Sequence, residues 1–343
     1  MRLFVYILTI GILLISPKLR GQVINSYNVN AVLNVDNNSL EIKQIMKFKN
    51  TSSIQLNEIF LEDWSNSYIN NETKLAKRIS DEYSRSFSFA QKRQRGFTTI
   101  NDLKGENIKS WYRYNSELDI IKVELSESIK KDQSIIIELN YTIKLPDYKF
   151  TGHGYDGENF YLKNWLIIFS NLSDDKWSKQ SNLNLDDQTL SESTFNINFS
   201  FEGNYYLISN LNKKEVNSLS QVKTIELSGS SIDNVRVYLI KEDTYNTIQN
   251  QNIRIETDIF KISDLLEAEI KFNRVSKFIS NYFEDTSKYK LLIPREDYES
   301  SPFYGLNQLP SFISPFSDRF LEEIIFLKSY IKNYLNQKIN LNK

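Results

Sequence analysis

The sequence predicts a β-rich saddle or sandwich over residues 22–241, followed by the start of an α/β unit over residues 242–343. Three observations carry this reading. Through most of 23–241, apolar and polar residues alternate with period two, the pattern of half-buried strands. Near residue 242 the apolar spacing lengthens to the three-and-four pattern of amphipathic helices. Beyond it the order is strand, helix, strand, strand, helix, which suits an α/β layer better than a continued sandwich.

Length and composition set the outer limits. The 343 residues leave room for two domains at ~150 residues each. Charge is almost balanced, at −1, with a pI of about 6.1, so no nucleic-acid partner is expected. There is no cysteine, which removes disulfides, thiolate metal sites and cysteine nucleophiles. One histidine, His153, cannot supply a His-His-Glu zinc site. A triad built on it is arithmetically open, but no Gly-x-Ser-x-Gly elbow accompanies it. At the N-terminus, Met1-Arg2, an apolar run over 3–15 and a polar stretch over 16–21 read as a signal peptide cut near Gly21-Gln22. The run is short for a membrane span. The expectation is a bacterial protein exported to the periplasm or cell surface, associated with a membrane only if residues 1–21 are retained.

The β part can be taken in order. Tyr27, Val29, Ala31, Leu33 and Val35 alternate with polar residues, and Asp36-Asn37-Asn38-Ser39 turns the chain into Leu40, Ile42, Gln44, Met46 and Phe48. Gln44 is the polar exception. Asn50-Thr51-Ser52-Ser53 turns again, toward Ile54, Leu56, Ile59 and Leu61. Residues 70–106 interrupt the pattern. Leu75, Ile79 and Tyr83 have the spacing of a short helix, and Lys92, Arg93 and Arg95 read as a solvated insertion or as a site for an acidic partner. Alternation returns at 121–125 and 135–145, where Pro146 ends it. Residues 148–159 read as loop, with His153 a surface residue. An apolar strand over 160–169 follows, and strands at 195–201, 205–209, 222–227 and 235–240 complete the set.

In the second part, Ile259, Ile262, Leu266, Ile270, Val275, Phe278 and Phe283 predict a long helix with that stripe facing the core. Strands are expected at 291–294 and 303–313. Phe320, Ile324, Leu327, Ile331 and Tyr334 predict a second helix over 318–335, with Ser317 as N-cap and Asp318 favourable to its dipole. Such a fragment leaves one helix face and a sheet edge uncovered.

The segment Phe303-Tyr304-Gly305-Leu306-Asn307-Gln308-Leu309-Pro310 follows the strand Lys290-Leu291-Leu292-Ile293-Pro294 and the turn Arg295-Glu296-Asp297-Tyr298. This order resembles the entrance to the active-site cleft of the aminopeptidase N family of gluzincin zinc metallopeptidases. There a strand bearing Gly-x-Met-Glu-Asn lines the substrate groove, and a helix bearing His-Glu-x-x-His follows. Trp64-Ser65-Asn66-Ser67 and Leu162-Lys163-Asn164-Trp165 likewise resemble the Asn-bearing loop and Trp-bearing strand of that family's N-terminal saddle, and Gly229 with Asn234-Val235-Arg236-Val237 its closing strands. The resemblance implies a saddle-shaped β domain joined to the start of a thermolysin-like domain. It also implies a substrate groove at Tyr304, Gly305, Leu306, Asn307 and Gln308, where extended peptide pairs along the strand edge past Gly305.

The family's chemistry is altered at both motifs. Gln308 stands where a glutamate would hold the peptide's amino group, so charge assistance is lost. Glu322-Glu323-Ile324-Ile325-Phe326 lies over His-Glu-x-x-His, with Glu323 at the general-base position and Glu322 and Phe326 at ligand positions. A phenyl ring cannot ligate zinc. No catalytic or metal residue is therefore assigned, and no cofactor is expected in this chain. Zinc is expected only if a ligand motif follows residue 343. The implied function is that of a non-catalytic homologue, or N-terminal portion, binding a peptide or protein. Two alternatives stay open: the front half of an active zinc aminopeptidase, and an exported β-sandwich scaffold or adhesion protein with a helical appendage.

Overall fold

The computed structural model describes residues 25–341 except 83, 115, 185–187, 189, 192, 218–220, 232–234, 251–252, 284–288, 301–303, 311 and 314–317. The signal-peptide reading, Tyr83, Asn234, Phe303 and Ser317 lie outside the described residues. The first part opens with β1 (Asn25–Asn34), β2 (Ser39–Lys49) and β3 (Leu56–Glu62). A 3₁₀ turn (Trp64–Tyr68) and helix α1 (Lys74–Asp81) precede β4 (Phe97–Lys104), β5 (Ile108–Tyr114), β6 (Glu117–Ile129) and β7 (Ser134–Lys144). The short strands β8 (Gly154–Tyr155), β9 (Phe160–Leu162), β10 (Ile168–Phe169), β11 (Asn171–Ser173) and β12 (Lys176–Ser178) come next. Then follow β13 (Ser193–Glu202), β14 (Tyr206–Ser209), β15 (Asn212–Asn217), β16 (Val222–Ser231) and β17 (Val237–Ile240). The second part holds β18 (Asn246–Gln249), β19 (Ile253–Thr257), α2 (Leu265–Phe283), β20 (Tyr289–Ile293), α3 (Arg295–Glu299), α4 (Tyr304–Asn307) and α5 (Asp318–Leu341).

The alternating stretches become a seven-stranded sheet in the order β15-β16-β13-β1-β2-β7-β4. Its neighbours are antiparallel except β1 and β13, which run parallel with Tyr27 opposite Phe195 and Ala31 opposite Phe199. One face carries Tyr27, Val29, Ala31 and Leu33 inward, as the period-two pattern requires. That face packs on the sheet β10-β3-β6-β5 through residues such as Leu61, Ile121 and Val123. The same core takes in Phe160, Leu162, Val237 and Leu239 from a third sheet, β14-β17-β9-β8. Each such large apolar side chain contributes about 1.5–3 kcal/mol when fully buried. The first part is therefore β-rich, as expected, with several sheets sharing one core. Gln44 is tolerated inside because its amide donates to the Ile167 carbonyl (2.5 Å) and accepts from the Tyr141 hydroxyl (2.6 Å).

Two expectations in this part need correction. The strand over 160–169 divides: β9 joins the third sheet and β10 the second, because Asn164, at φ 51°, adopts the left-handed conformation and turns the chain. The insertion 70–106 is not simply solvated. Its end forms β4, which extends the seven-stranded sheet beside β7, and Leu75, Ile79 and Phe87 bury against Tyr68 and Phe150. Arg95 lies over the Phe87 ring at 4.5 Å and donates to the Phe87 carbonyl (3.0 Å), whereas Lys92 and Arg93 face solvent.

In the second part β19 and β20 are parallel neighbours connected through α2, with β18 antiparallel on the far side of β19. This is a small α/β layer. Ile253, Ile255, Leu291 and Ile293 pack with Phe272 and Ile279 of α2 and with Ile325, Phe326 and Tyr330 of α5. The buried stripes differ from those expected. On α2 the inward positions are Ala268, Phe272, Ser276 and Ile279; of the expected stripe Ile259, Val275 and Phe283 pack beside them, while Leu266 (72%), Ile270 (55%) and Phe278 (55%) are exposed. The helix is apolar on two sides, and the sheet selected the other one. On α5 Leu321, Ile325, Phe326 and Tyr330 are buried, the expected Leu327, Ile331 and Tyr334 pack beside that seam, and Phe320 is 47% exposed.

Among the described residues of the stretch 303–313, where a strand is expected, none is extended into a sheet. Tyr304–Asn307 is a helical turn, and the sheet ends at β20. The stretch 303–309 holds no β-branched residue, and Gly305 and Asn307, both poor strand formers, sit at its centre, which offsets the strand preference of its aromatic start.

Candidate functional site at the junction of the two parts

The groove residues can be placed first. In α4 the Tyr304 ring meets the Tyr298 ring edge-on at 5.3 Å. Gly305 is exposed, and a Cβ added to it would meet no atom within 4 Å. Leu306 is half-buried and Gln308 exposed, while the Asn307 side chain lies outside the described residues. These residues form no extended edge. The structural demand expected of Gly305, close approach of another backbone, is absent from this arrangement.

The helix aligned with the zinc-binding helix is α5, and its polar groups are committed elsewhere. The Glu322 carboxylate pairs with Lys271 of α2 at 2.6 Å, and Glu323 pairs with Arg274 at 2.7 Å. Glu323 is buried, not solvent-facing as an ordinary amphipathic helix would have it. Phe326 lies in the core between Phe260 (6.0 Å) and Phe272 (5.9 Å). Both carboxylates thus fasten α5 to α2. Among the described residues no group of three or more His, Cys, Asp or Glu side chains is placed to hold a metal ion.

The densest chemistry lies where the third sheet meets β20 and α3. Ile208, Tyr238 and Ile240 pack on Leu292. Around that apolar contact, Lys163 pairs with Glu296 at 2.5 Å and Arg236 with Asp297 at 2.9 Å. The Arg295 amide donates to Asp258 at 2.6 Å. Four tyrosines line the seam, with ring centroids 4.5 Å apart for Tyr148 and Tyr161, 5.3 Å for Tyr161 and Tyr238, and 6.5 Å for Tyr238 and Tyr245. Burial raises all four phenols, and neighbouring acids such as Glu296 and Asp258 add to the effect; Tyr161 is pushed up to about 12. They therefore stay protonated at neutral pH.

His153 sits beside this seam and is 2% exposed, so the surface reading of it was wrong. Its Nδ1 accepts from the Lys163 amide at 3.0 Å, which places the proton of the neutral ring on Nε2. That Nε2 is buried without a partner. Burial first, and the Lys163 charge second, lower the imidazole to about 3. A ring held neutral and sealed in this way fixes the 153–163 loop through the Lys163 amide.

A second polar centre went unnoticed in the sequence. Glu62, Asp63 and Asp119 are all buried beneath the 3₁₀ turn at Trp64. Asp63 pairs with Arg113 at 2.6 Å and accepts from Thr98 (2.8 Å). Asp119 accepts from the Ser181 hydroxyl (2.9 Å) and the Asn182 amide (2.7 Å). Glu62 accepts from the Gln180 amide and the Gln188 side chain, both at 3.1 Å. Glu62 and Asp119 thus hold residues 180–182 and Gln188 against the sandwich, and Asp63 ties in Arg113 and Thr98. Burial, with a smaller push from Asp119, raises Glu62 to about 7. The available signal was Glu62-Asp63 at the end of an otherwise alternating strand, with Asp119 at the start of the strand that pairs with it. An open depression of about 550 Å³ lies elsewhere, lined by Asp36, Glu202, Tyr205 and Lys241 among others.

No protein-family model matches the chain, and no curated protein matches it. Among the described residues, no helix is long and apolar enough to cross a membrane.

Proposed function

We propose that the chain is a non-catalytic binding protein, exported and laid out on an aminopeptidase N-like plan, that takes a polypeptide partner through its second part. The observation that carries this reading is the use made of α5. The side chains aligned with zinc ligands and general base are spent on the Glu322–Lys271 and Glu323–Arg274 pairs and on the Phe326 core. Converting such a helix to catalysis would break two ion pairs, one of them with a buried carboxylate. Support for the partner comes from α2, where Leu266, Ile270, Phe278 and Tyr282 form an exposed apolar row at spacings of four and eight, interrupted by Arg274. A helix row of that kind suits the apolar side chains of an incoming polypeptide. Binding by strand addition at Gly305 is not part of the proposal, because Tyr304–Asn307 is helical.

The second reading, an exported scaffold with a helical appendage, is favoured by the junction, which is filled by ion pairs and tyrosines where a peptidase would keep a cleft. One pair of measurements separates the readings. Alanine 4-nitroanilide should not be hydrolysed, with or without added zinc; zinc-dependent turnover would overturn the non-catalytic assignment. Fluorescein-labelled, reduced and carboxymethylated α-lactalbumin should raise its anisotropy on binding, and the double variant Ile270→Glu/Phe278→Glu should abolish the rise. Absence of binding, or binding untouched by that variant, would leave the scaffold reading in its place.

A further inference from the structure

Lys213 of β15, Arg254 of β19 and Lys290 of β20 converge on one buried carboxylate, Glu256. The separations are 3.5 Å for Lys213, 3.4 Å for Arg254 and 3.5 Å for Lys290. All three exceed the roughly 2.7–2.9 Å of a direct charge-assisted hydrogen bond. Among the described residues no second acid pairs with these cations, so three positive charges meet one negative charge. Lys290 has a side chain only 15% exposed, and its ammonium donates to the Leu211 carbonyl across the junction. Lys213 donates to the Leu207 carbonyl at 3.1 Å. Burial, reinforced by the Lys213 and Arg254 charges, lowers Lys290 to about 8 even with Glu256 beside it. The cluster is therefore short of negative charge. Arg254, with a side chain 48% exposed, opens it to solvent.

We propose that Lys213, Arg254 and Lys290 form a binding site for a tetrahedral oxyanion, phosphate or sulfate, free or carried as an ester. The three donors come from three strands and from both parts of the chain, so they approach from different directions. That arrangement suits an anion with several oxygens. Glu256 repels the anion but also holds the three cations in place, which keeps the donors organised before the ligand arrives. An occupant would link β15 to β19 and β20, and so hold the two parts together.

The test is calorimetric titration of the intact chain at constant ionic strength with inorganic phosphate, sulfate and phenyl phosphate. Saturable one-site binding is expected, weakened at least about tenfold in Lys213→Gln and in Arg254→Gln, on the loss of one charge-assisted donor. Glutamine keeps a donor beside Glu256 at either position, and thermal melts check that each variant is folded at the titration temperature; Lys290, which reaches into the junction, is left unchanged. Equal affinity for phosphate and phenyl phosphate would support the proposal with an ester as the natural occupant. Affinity for phosphate alone would support it with the free ion. Heats that follow ionic strength only, or affinities unchanged in both variants, would overturn it.

Discussion

Replacing Glu62 by Gln should make the protein more stable at alkaline pH and leave it nearly unchanged in acid. Glu62 is 1% exposed, and burial pushes its carboxyl up to about 7 in the folded protein from 4.5 for the free group. A raised carboxyl binds its proton more tightly in the folded state. Its cost to stability is therefore absent below about pH 4.5, grows through the interval up to about 7, and is complete above it. A difference of this size corresponds to about 3 kcal/mol. Glutamine preserves the geometry: its carbonyl can accept from the Gln180 amide, and its NH₂ can donate to Gln188 Oε1, which is buried and unpartnered in the native chain. The wild-type profile alone is a poor readout, because His153, lowered to about 3, contributes the opposite slope below pH 6.5. The difference between variant and wild type isolates Glu62. Urea unfolding followed by tryptophan fluorescence at pH 5, 6, 7 and 8 should show that difference rising by up to about 3 kcal/mol in favour of the variant. A difference independent of pH, or one favouring the wild type at pH 8, would refute the reasoning.

Three further outcomes follow, two at the junction and one on the helical turn at Gly305. His153 should remain neutral and protonated on Nε2 throughout pH 5–8, since burial lowers it to about 3; an imidazole ¹⁵N spectrum that titrates near pH 6.5 would contradict the buried placement. Gly152→Ala should destabilise by about 1–3 kcal/mol, since Gly152 has φ 68° and an added Cβ would overlap the Glu296 carboxylate and disturb its pairing with Lys163. Gly305→Ala, on an exposed helical turn, should be neutral or stabilising by up to about 1 kcal/mol. Thermal melts check both glycine variants, and a large loss on Gly305→Ala would restore the close-approach role read from the sequence.

Much of the sandwich was legible because alternation reports burial directly. The strands at Tyr27–Leu33, Leu40–Phe48 and Ile135–Ile143 each carry a clean inner face. β4 was missed because Phe97-Thr98-Thr99-Ile100-Asn101 mixes half-buried and polar positions, and only its pairing with β7 makes it a strand. On α2 the sequence offers two apolar rows, and periodicity cannot say which one the sheet will take; that choice rests on the β19–α2–β20 connection. The polar centre at Glu62, Asp63 and Asp119 joins the end of β3 to β6, with partners at 98, 113, 180–182 and 188, so no local pattern announces it. The same holds for Glu256, whose three cations come from three strands. His153 was misjudged because loop sequence around Gly152 and Gly154 suggests exposure, while Tyr68 and Lys163, distant in sequence, enclose it.

The parallel pairing of β1 with β13 bears on how the chain acquires this structure. Asn25 to Leu33 align with Ser193 to Phe201, so the central ladder of the largest sheet joins segments separated by most of the first part. The β1–β2–β7 run can form early, but its open side stays unpaired until β13 arrives. Closing so long a loop costs entropy before any ladder contact offsets it, which places this chain among slow, high-contact-order folders. During synthesis from the N-terminus, β1 would emerge as an unprotected sheet edge and wait for β13 and β16 to be made. An edge of that kind recruits other strands. Chains interrupted before residue 193 should therefore accumulate as aggregates, and a full-length chain should refold with a slow phase that shortens when β1 is covalently tethered beside β13.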